Sequence, residues 1–133
     1  MDKFLLDSNV IIDYLRCDKI VSMNLDKMVD SGISLSICPQ IYYEVVRGFK
    51  IVNATKKLEV FFKLFDLFSV LPFDMVATEK AIEIYVQLHK GQVIEDNDIY
   101  IAAVAMANDC TLVTANTKHF GRIENLKIVN WRE

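Results

Sequence analysis

The chain has 133 residues, 53% of them hydrophobic and 25% charged, with a formal net charge of −3 at pH 7. That length suits one domain with one substantial core, spanning residues 1–133, and the composition is that of a chain that folds. The acidic balance excludes a protein that holds nucleic acid by bulk positive charge alone, but not an enzyme whose acidic site is neutralised by metal ions.

Lys3 to Leu6 reads as a short buried strand that runs directly into Asp7. A carboxylate beside apolar surface is costly unless it is paired, hydrogen-bonded or bound to a metal. Asn9 to about Arg16 follows with helical spacing at Val10, Ile11, Tyr14 and Leu15. Ile33 to Ile37 reads as a second strand, alternating apolar residues with Ser34 and Ser36. Pro39 opens a helix through about Gly48, since proline suits the first turn and glycine the end. Lys56 to Phe68 is amphipathic, and Val70 to Phe73 reads as a third strand. Asp74 is placed to cap a helix running to about Lys90. Asp98 to Asn108 reads as a buried helix, Thr111 to Thr114 as a strand, and Leu126 to Val129 as a last strand. Four or five short strands alternating with helices predict an α/β fold with a largely parallel sheet.

Four glycines and two prolines leave little room for a flexible linker. The longest strongly apolar run, Ile99 to Ala107, falls well short of the roughly 20 residues of a membrane span. Asp2 and Asp7 bracket too short an apolar run for a signal peptide. Cys17, Cys38 and Cys110 are scattered, odd in number and without a C-x-x-C spacing. They are expected to be reduced and mostly buried, as in a cytoplasmic protein.

Sites in parallel sheets form beyond the carboxyl ends of the strands. Asp7 sits at one such end and Asn116 just past another. Glu44 lies in the helix after the second strand, within PQIYYEVVRG, and Asp98 opens the buried helix. Each has an ordinary explanation: Asp7 and Asp98 as helix caps, Glu44 as a solvated helix residue, Asn116 as a turn residue. A parallel sheet could bring these four residues together.

LLDSNVIIDYL, EVVRG, NDIYIAAVAMANDCTLVTANTKHFGRI and LKIVNW resemble, in that order and at comparable spacing, the PIN-domain ribonucleases, in particular the VapC toxins of toxin–antitoxin pairs. The resemblance implies a PIN-like α/β fold with a short, mostly parallel sheet of four or five strands. It implies a metal-dependent endoribonuclease cleaving structured RNA, with tRNA the expected class. It also implies Mg²⁺ or Mn²⁺ as cofactor, a cognate antitoxin that blocks the site, and a homodimer with no membrane association. The residues it marks are Asp7, Glu44 and Asp98 as metal ligands and Asn116 at the fourth position, where the family has Asp or Asn. Asn116 carries no charge, so Asp96 is an alternative ligand and a catalytically impaired scaffold that binds RNA or a protein is the alternative function.

His119 is expected to be a surface residue near the site and not a general base. Thr114 is placed to hydrogen-bond a ligand or the Asp7 carboxylate, or to be merely structural. Arg47, Lys50, Lys118 and Arg122 are candidates for backbone phosphate contacts. A haloacid-dehalogenase-type phosphatase would need D-x-D, and Asn9 occupies its second position. A response-regulator receiver would need an aspartate ending its middle strand, and SLSIC supplies none.

Overall fold

The computed structural model describes residues 2–91 and 93–132. Its strands are β1 (Lys3–Leu6), β2 (Ser34–Ile37), β3 (Ser69–Val70), β4 (Thr111–Val113) and β5 (Ile128–Val129). They form one sheet in the order β3-β2-β1-β4-β5, and every neighbouring pair runs parallel. Parallel neighbours cannot be joined by a hairpin, so each connection carries helices. These are α1 (Ser8–Leu15) and α2 (Lys19–Asp30) before β2, and α3 (Pro39–Ile51) and α4 (Thr55–Phe65) before β3. α5 (Met75–Leu88) and α6 (Asp96–Ala107) precede β4, and α7 (Thr117–Phe120) precedes β5.

The strands carry apolar runs because helices cover both faces of a parallel sheet. Leu5, Leu6, Ile37, Leu112 and Val113 are all buried. α6 is apolar nearly all round, with Ile99 and every residue from Ile101 to Ala105 no more than 2% exposed, which marks it as a core helix. Its alanines let it lie close against α5 and β4. A larger side chain at Ala103 would overpack this core at about 1–3 kcal/mol. Among the described residues, no helix is long and apolar enough to cross a membrane.

Several element boundaries differ from those the sequence suggests. α3 continues through Gly48 to Ile51, because Val45 and Phe49 on its inner face still bury there. α4 stops at Phe65 and the third strand shrinks to Ser69–Val70. α2 has no counterpart in the sequence reading, because only Val21 and Leu25 of its twelve residues are buried and its apolar pattern is thin. Its start is nevertheless signalled: the Asp18 carboxylate accepts from the Val21 amide at 3.0 Å. Asp74 caps α5 as expected, accepting from the Ala77 amide at 3.0 Å. Asp98 does not cap: α6 begins at Asp96 with Glu95 in the cap position, so Asp98 lies inside the first turn.

The topology also fixes where a site can form. From β1 the chain steps to β2 and β3 on one side, then returns to β4 and β5 on the other. The carboxyl ends of β1 and β4 therefore border the switch point, where open α/β sheets leave a crevice for ligands.

Candidate active site

Asp7 follows β1 directly and is only 5% exposed. It is the N-cap of α1, but it caps in an unusual way. A cap side chain normally accepts from the second or third helical amide. Asp7 Oδ1 instead accepts from Ser8, the first, at 2.8 Å. That leaves Oδ2 turned toward β4, where it accepts from the Thr114 hydroxyl at 2.8 Å and from Asn9 Nδ2 at 3.2 Å.

Thr114 is fully buried at the end of β4, and its hydroxyl is saturated. It donates to Asp7 and accepts from the Asn116 amide at 2.9 Å and from Asn9 Nδ2 at 3.4 Å. Asn9 completes the clamp, its Oδ1 accepting from the Ala115 amide at 3.1 Å. The two strand ends at the switch point are thus tied together by side chains. Asn116 continues the chain: its Nδ2 lies 3.1 Å from His119 Nδ1, which in turn lies 3.8 Å from Asp98 Oδ2. The first distance is a hydrogen bond and the second is not.

All three carboxylates are held above their ordinary range. Burial is the main cause at Asp7, and the Asp98 charge adds to it against the bonds from Thr114, Ser8 and Asn9. Burial also leads at Glu44, followed by repulsion from Asp7 and Asp98; a Ser8 contact and the Arg47 charge oppose it. At Asp98 burial again raises the pKa, His119 lowers it, and Glu95 adds repulsion. Like charges gathered in a desolvated crevice favour protons or a cation.

The donor set fits a hard divalent cation. Every candidate ligand is an oxygen, and Glu44 Oε1 is buried without a hydrogen-bond partner, as a ligand atom awaiting an ion would be. The carboxylates do not close into a finished coordination sphere, since among the described residues no three His, Cys, Asp or Glu side chains meet tightly enough to hold an ion as they stand.

Asp96 stands apart from this cluster. It is exposed and lines a cavity of about 470 Å³ between α5 and α6, with Phe73, Ile82, Tyr85 and Tyr100. The reason is helical geometry: two residues on from Asp96, Asp98 faces nearly the other way. His119 has a 43% exposed side chain, as expected of a surface residue beside the site. Arg47 stacks over the Tyr43 ring at 4.8 Å, while Lys50 and Lys118 are exposed. Arg122 is half-buried, and its carbonyl accepts from Gln87 Nε2.

Cys38, at the end of β2, is fully buried, and burial pushes its thiol up to about 12, so it is no nucleophile at neutral pH. Cys110 is buried and Cys17 exposed, and all three are free thiols. Two polar residues of the crevice carried little signal in the sequence: Asn9 and Ser8. Asn9 was visible as the residue after Asp-Ser, but its partners lie more than a hundred positions away.

A model of the PIN domain family matches residues 4–126. Ribonuclease VapC1 of Methanocaldococcus jannaschii is 31% identical over 92% of this chain and 82% of its own length. Ribonuclease VapC2 of Rickettsia felis is 34% identical over 75% of this chain and 73% of its own. Among solved structures, VapBC2 from Rickettsia felis bound to a DNA fragment from its promoter superposes with a TM-score of 0.85. It is 27% identical and covers 97% of this chain and 98% of that one.

Proposed function

This chain belongs to the PIN-domain family and, within it, to the VapC-type ribonucleases; from that premise we propose a metal-dependent endoribonuclease that cleaves structured RNA, tRNA foremost, as the toxin of a toxin–antitoxin pair. One observation carries the reading. Asp7, Glu44 and Asp98, contributed by three separate elements, repel one another in a desolvated crevice at the switch point of the sheet.

The side chains divide the work. Thr114, Ser8 and Asn9 hold the Asp7 carboxylate in one orientation, so little reorganisation remains when substrate arrives. Glu44 and Asp98 offer further oxygens, less enclosed and freer to adjust. Mg²⁺ or Mn²⁺ bound there supplies a polarised water and charge neutralisation at the phosphate. Asn116 is uncharged and engaged with His119, so it orients its neighbour and contributes no negative charge. Lys50 and Lys118 are exposed on the elements that carry or flank the ligands, available for backbone phosphates.

An antitoxin partner is supported by the likeness to a VapBC complex; we also propose a homodimer, to be checked by sedimentation of the purified protein. For the reaction, a total tRNA pool is incubated with the protein in Mn²⁺, in Mg²⁺ and in EDTA. Cleavage is expected in the first two only, and cleavage that persists unchanged in EDTA would refute the metal dependence. Asp98→Asn should abolish cleavage and leave the fold intact, because Asp98 is not the cap of α6. A fully active Asp98→Asn enzyme would remove Asp98 from the ligand set, and failure to cut any RNA with metal present would favour the non-catalytic scaffold.

A further inference from the structure

Two oxygen atoms on α3 have nothing to bond. Glu44 Oε1 and Gln40 Oε1 are both shut off from solvent, and neither has a hydrogen-bond partner. Among the described residues they are the only side-chain atoms in that position. Buried acceptors without partners are rare in folded proteins, because each forfeits its hydration without return. Here they fall on residues i and i+4 of one helix, which share a face about one turn apart.

Two acceptors cannot satisfy each other. The Thr114 hydroxyl, the Asn9 amide and the Ser8 amide are committed to Asp7, and the Ser8 side chain that meets Glu44 leaves its Oε1 unpartnered. With the Gln40 amide oriented as it stands, both oxygens are open to a cation or a donor brought in from outside. Gln40 is uncharged, so it adds an oxygen to the crevice without adding to the repulsion that already raises Asp7 and Glu44. Amide oxygens are accepted ligands of hard divalent ions, which also keep part of their own water.

We propose that Gln40 is a further residue of the metal site, its Oε1 holding the same hydrated divalent cation as Glu44 Oε1. The inference rests on the metal-dependent reading above and extends the ligand set along α3. It supplies a neutral oxygen in a site whose fourth position, Asn116, is turned to His119.

The rival arrangement has the Gln40 amide rotated end for end, so that Nε2 donates to Glu44 and the pair closes on itself. Thermal melts of the full chain in EDTA and in millimolar Mn²⁺, with Mn²⁺ titration calorimetry, separate the two. Gln40→Leu keeps the bulk and removes the polar atoms. It should melt higher than wild type in EDTA and bind Mn²⁺ about tenfold more weakly, as loss of one supporting ligand group does. Gln40→Glu should melt lower in EDTA and bind Mn²⁺ more tightly than wild type. A Gln40→Leu protein that melts lower in EDTA and keeps wild-type Mn²⁺ affinity would establish the closed pair and overturn the proposal. If Gln40→Leu does not fold, unchanged Mn²⁺ affinity in Gln40→Glu overturns it equally. Wild-type protein that binds no Mn²⁺ at all would instead bring down the metal reading itself, and this inference with it.

Discussion

Asp7 and Glu44 are both desolvated carboxylates at the same crevice, yet the structure around them differs in kind. Asp7 is met by three donors, Ser8, Asn9 and Thr114, and its rotamer is determined before any ligand arrives. Glu44 keeps one oxygen with no partner, and Gln40, one turn earlier on the same helix, is in the same condition. One half of the site is finished by the fold; the other is left for something to complete. The difference teaches that preorganisation here is concentrated where β1 and β4 meet, and adaptability on α3.

The sharpest way to break this contrast is to dismantle the finished half. Thr114→Val removes the donor to Asp7 and leaves the Asn116 amide without its acceptor. Urea denaturation in EDTA should show a loss of about 3 kcal/mol, the range for orphaning buried polar groups, together with loss of most RNA cleavage. A near-neutral result would mean that Asp7 is not held by this network.

Next comes pH. Asp7, Glu44 and Asp98 all titrate above their ordinary values of 3.8 for Asp and 4.5 for Glu. An acid whose folded pKa is raised binds its proton more tightly in the folded state. Its stabilising contribution is complete below the ordinary value and is lost as pH rises through the raised one. Metal-free protein should therefore become less stable as pH rises from about 4 through the raised values. Millimolar Mn²⁺ should flatten that slope. A metal-free stability that rises over the same window would show that these carboxylates do not govern it.

Smaller effects distinguish the two halves directly. Neutralising Glu44 with Glu44→Gln should stabilise the metal-free protein by about 1 kcal/mol, after allowance for screening at a part-exposed site. Asp7→Asn should give less, about 0.5 kcal/mol, because it also weakens charge-assisted bonds from its three donors. Both variants should lose most of the Mn²⁺-induced rise in Tm. If Asp7→Asn gains more than Glu44→Gln, the contrast drawn between them is inverted. Away from the carboxylates, Cys38→Ala should leave turnover unchanged and cost about 1 kcal/mol of stability by denaturant titration, since its thiol is buried in the core. A large fall in turnover with the fold intact would give Cys38 a chemical part.

Much of this was legible in the sequence, and what was not has a common cause. Apolar runs ending in Asp7 and Thr114 gave the strand ends, and Asp74 gave a cap, because those signals are local. Asp7, Glu44 and Asp98 were visible as acids in a repeating strand–helix order. The start of α6 was read at Asp98, two residues late, because it depends on where the chain leaves α5, which no local signal marks. α2 escaped because a helix with two buried residues leaves almost no apolar period. The clamp of Asn9 on Ala115 and Thr114 was invisible for a different reason. Partners separated by 105 and 106 positions leave no trace in either local stretch.

The hydrogen bond from Thr114 to Asp7 spans 107 positions, and its acceptor lies beside the central strand of the sheet. On the ribosome, Asp7 is made long before the hydroxyl that will orient it. At synthesis rates of about 5–20 residues per second, the interval is on the order of 5–20 s. A nascent chain can pair β1 with β2 early, but the crevice cannot be assembled until β4 has emerged and docked on the other edge of β1. Chains cut short before β4 would carry Asp7, Glu44 and Asp98 without the frame that aligns them. The fold thereby delays the appearance of an aligned site until β4 has been made.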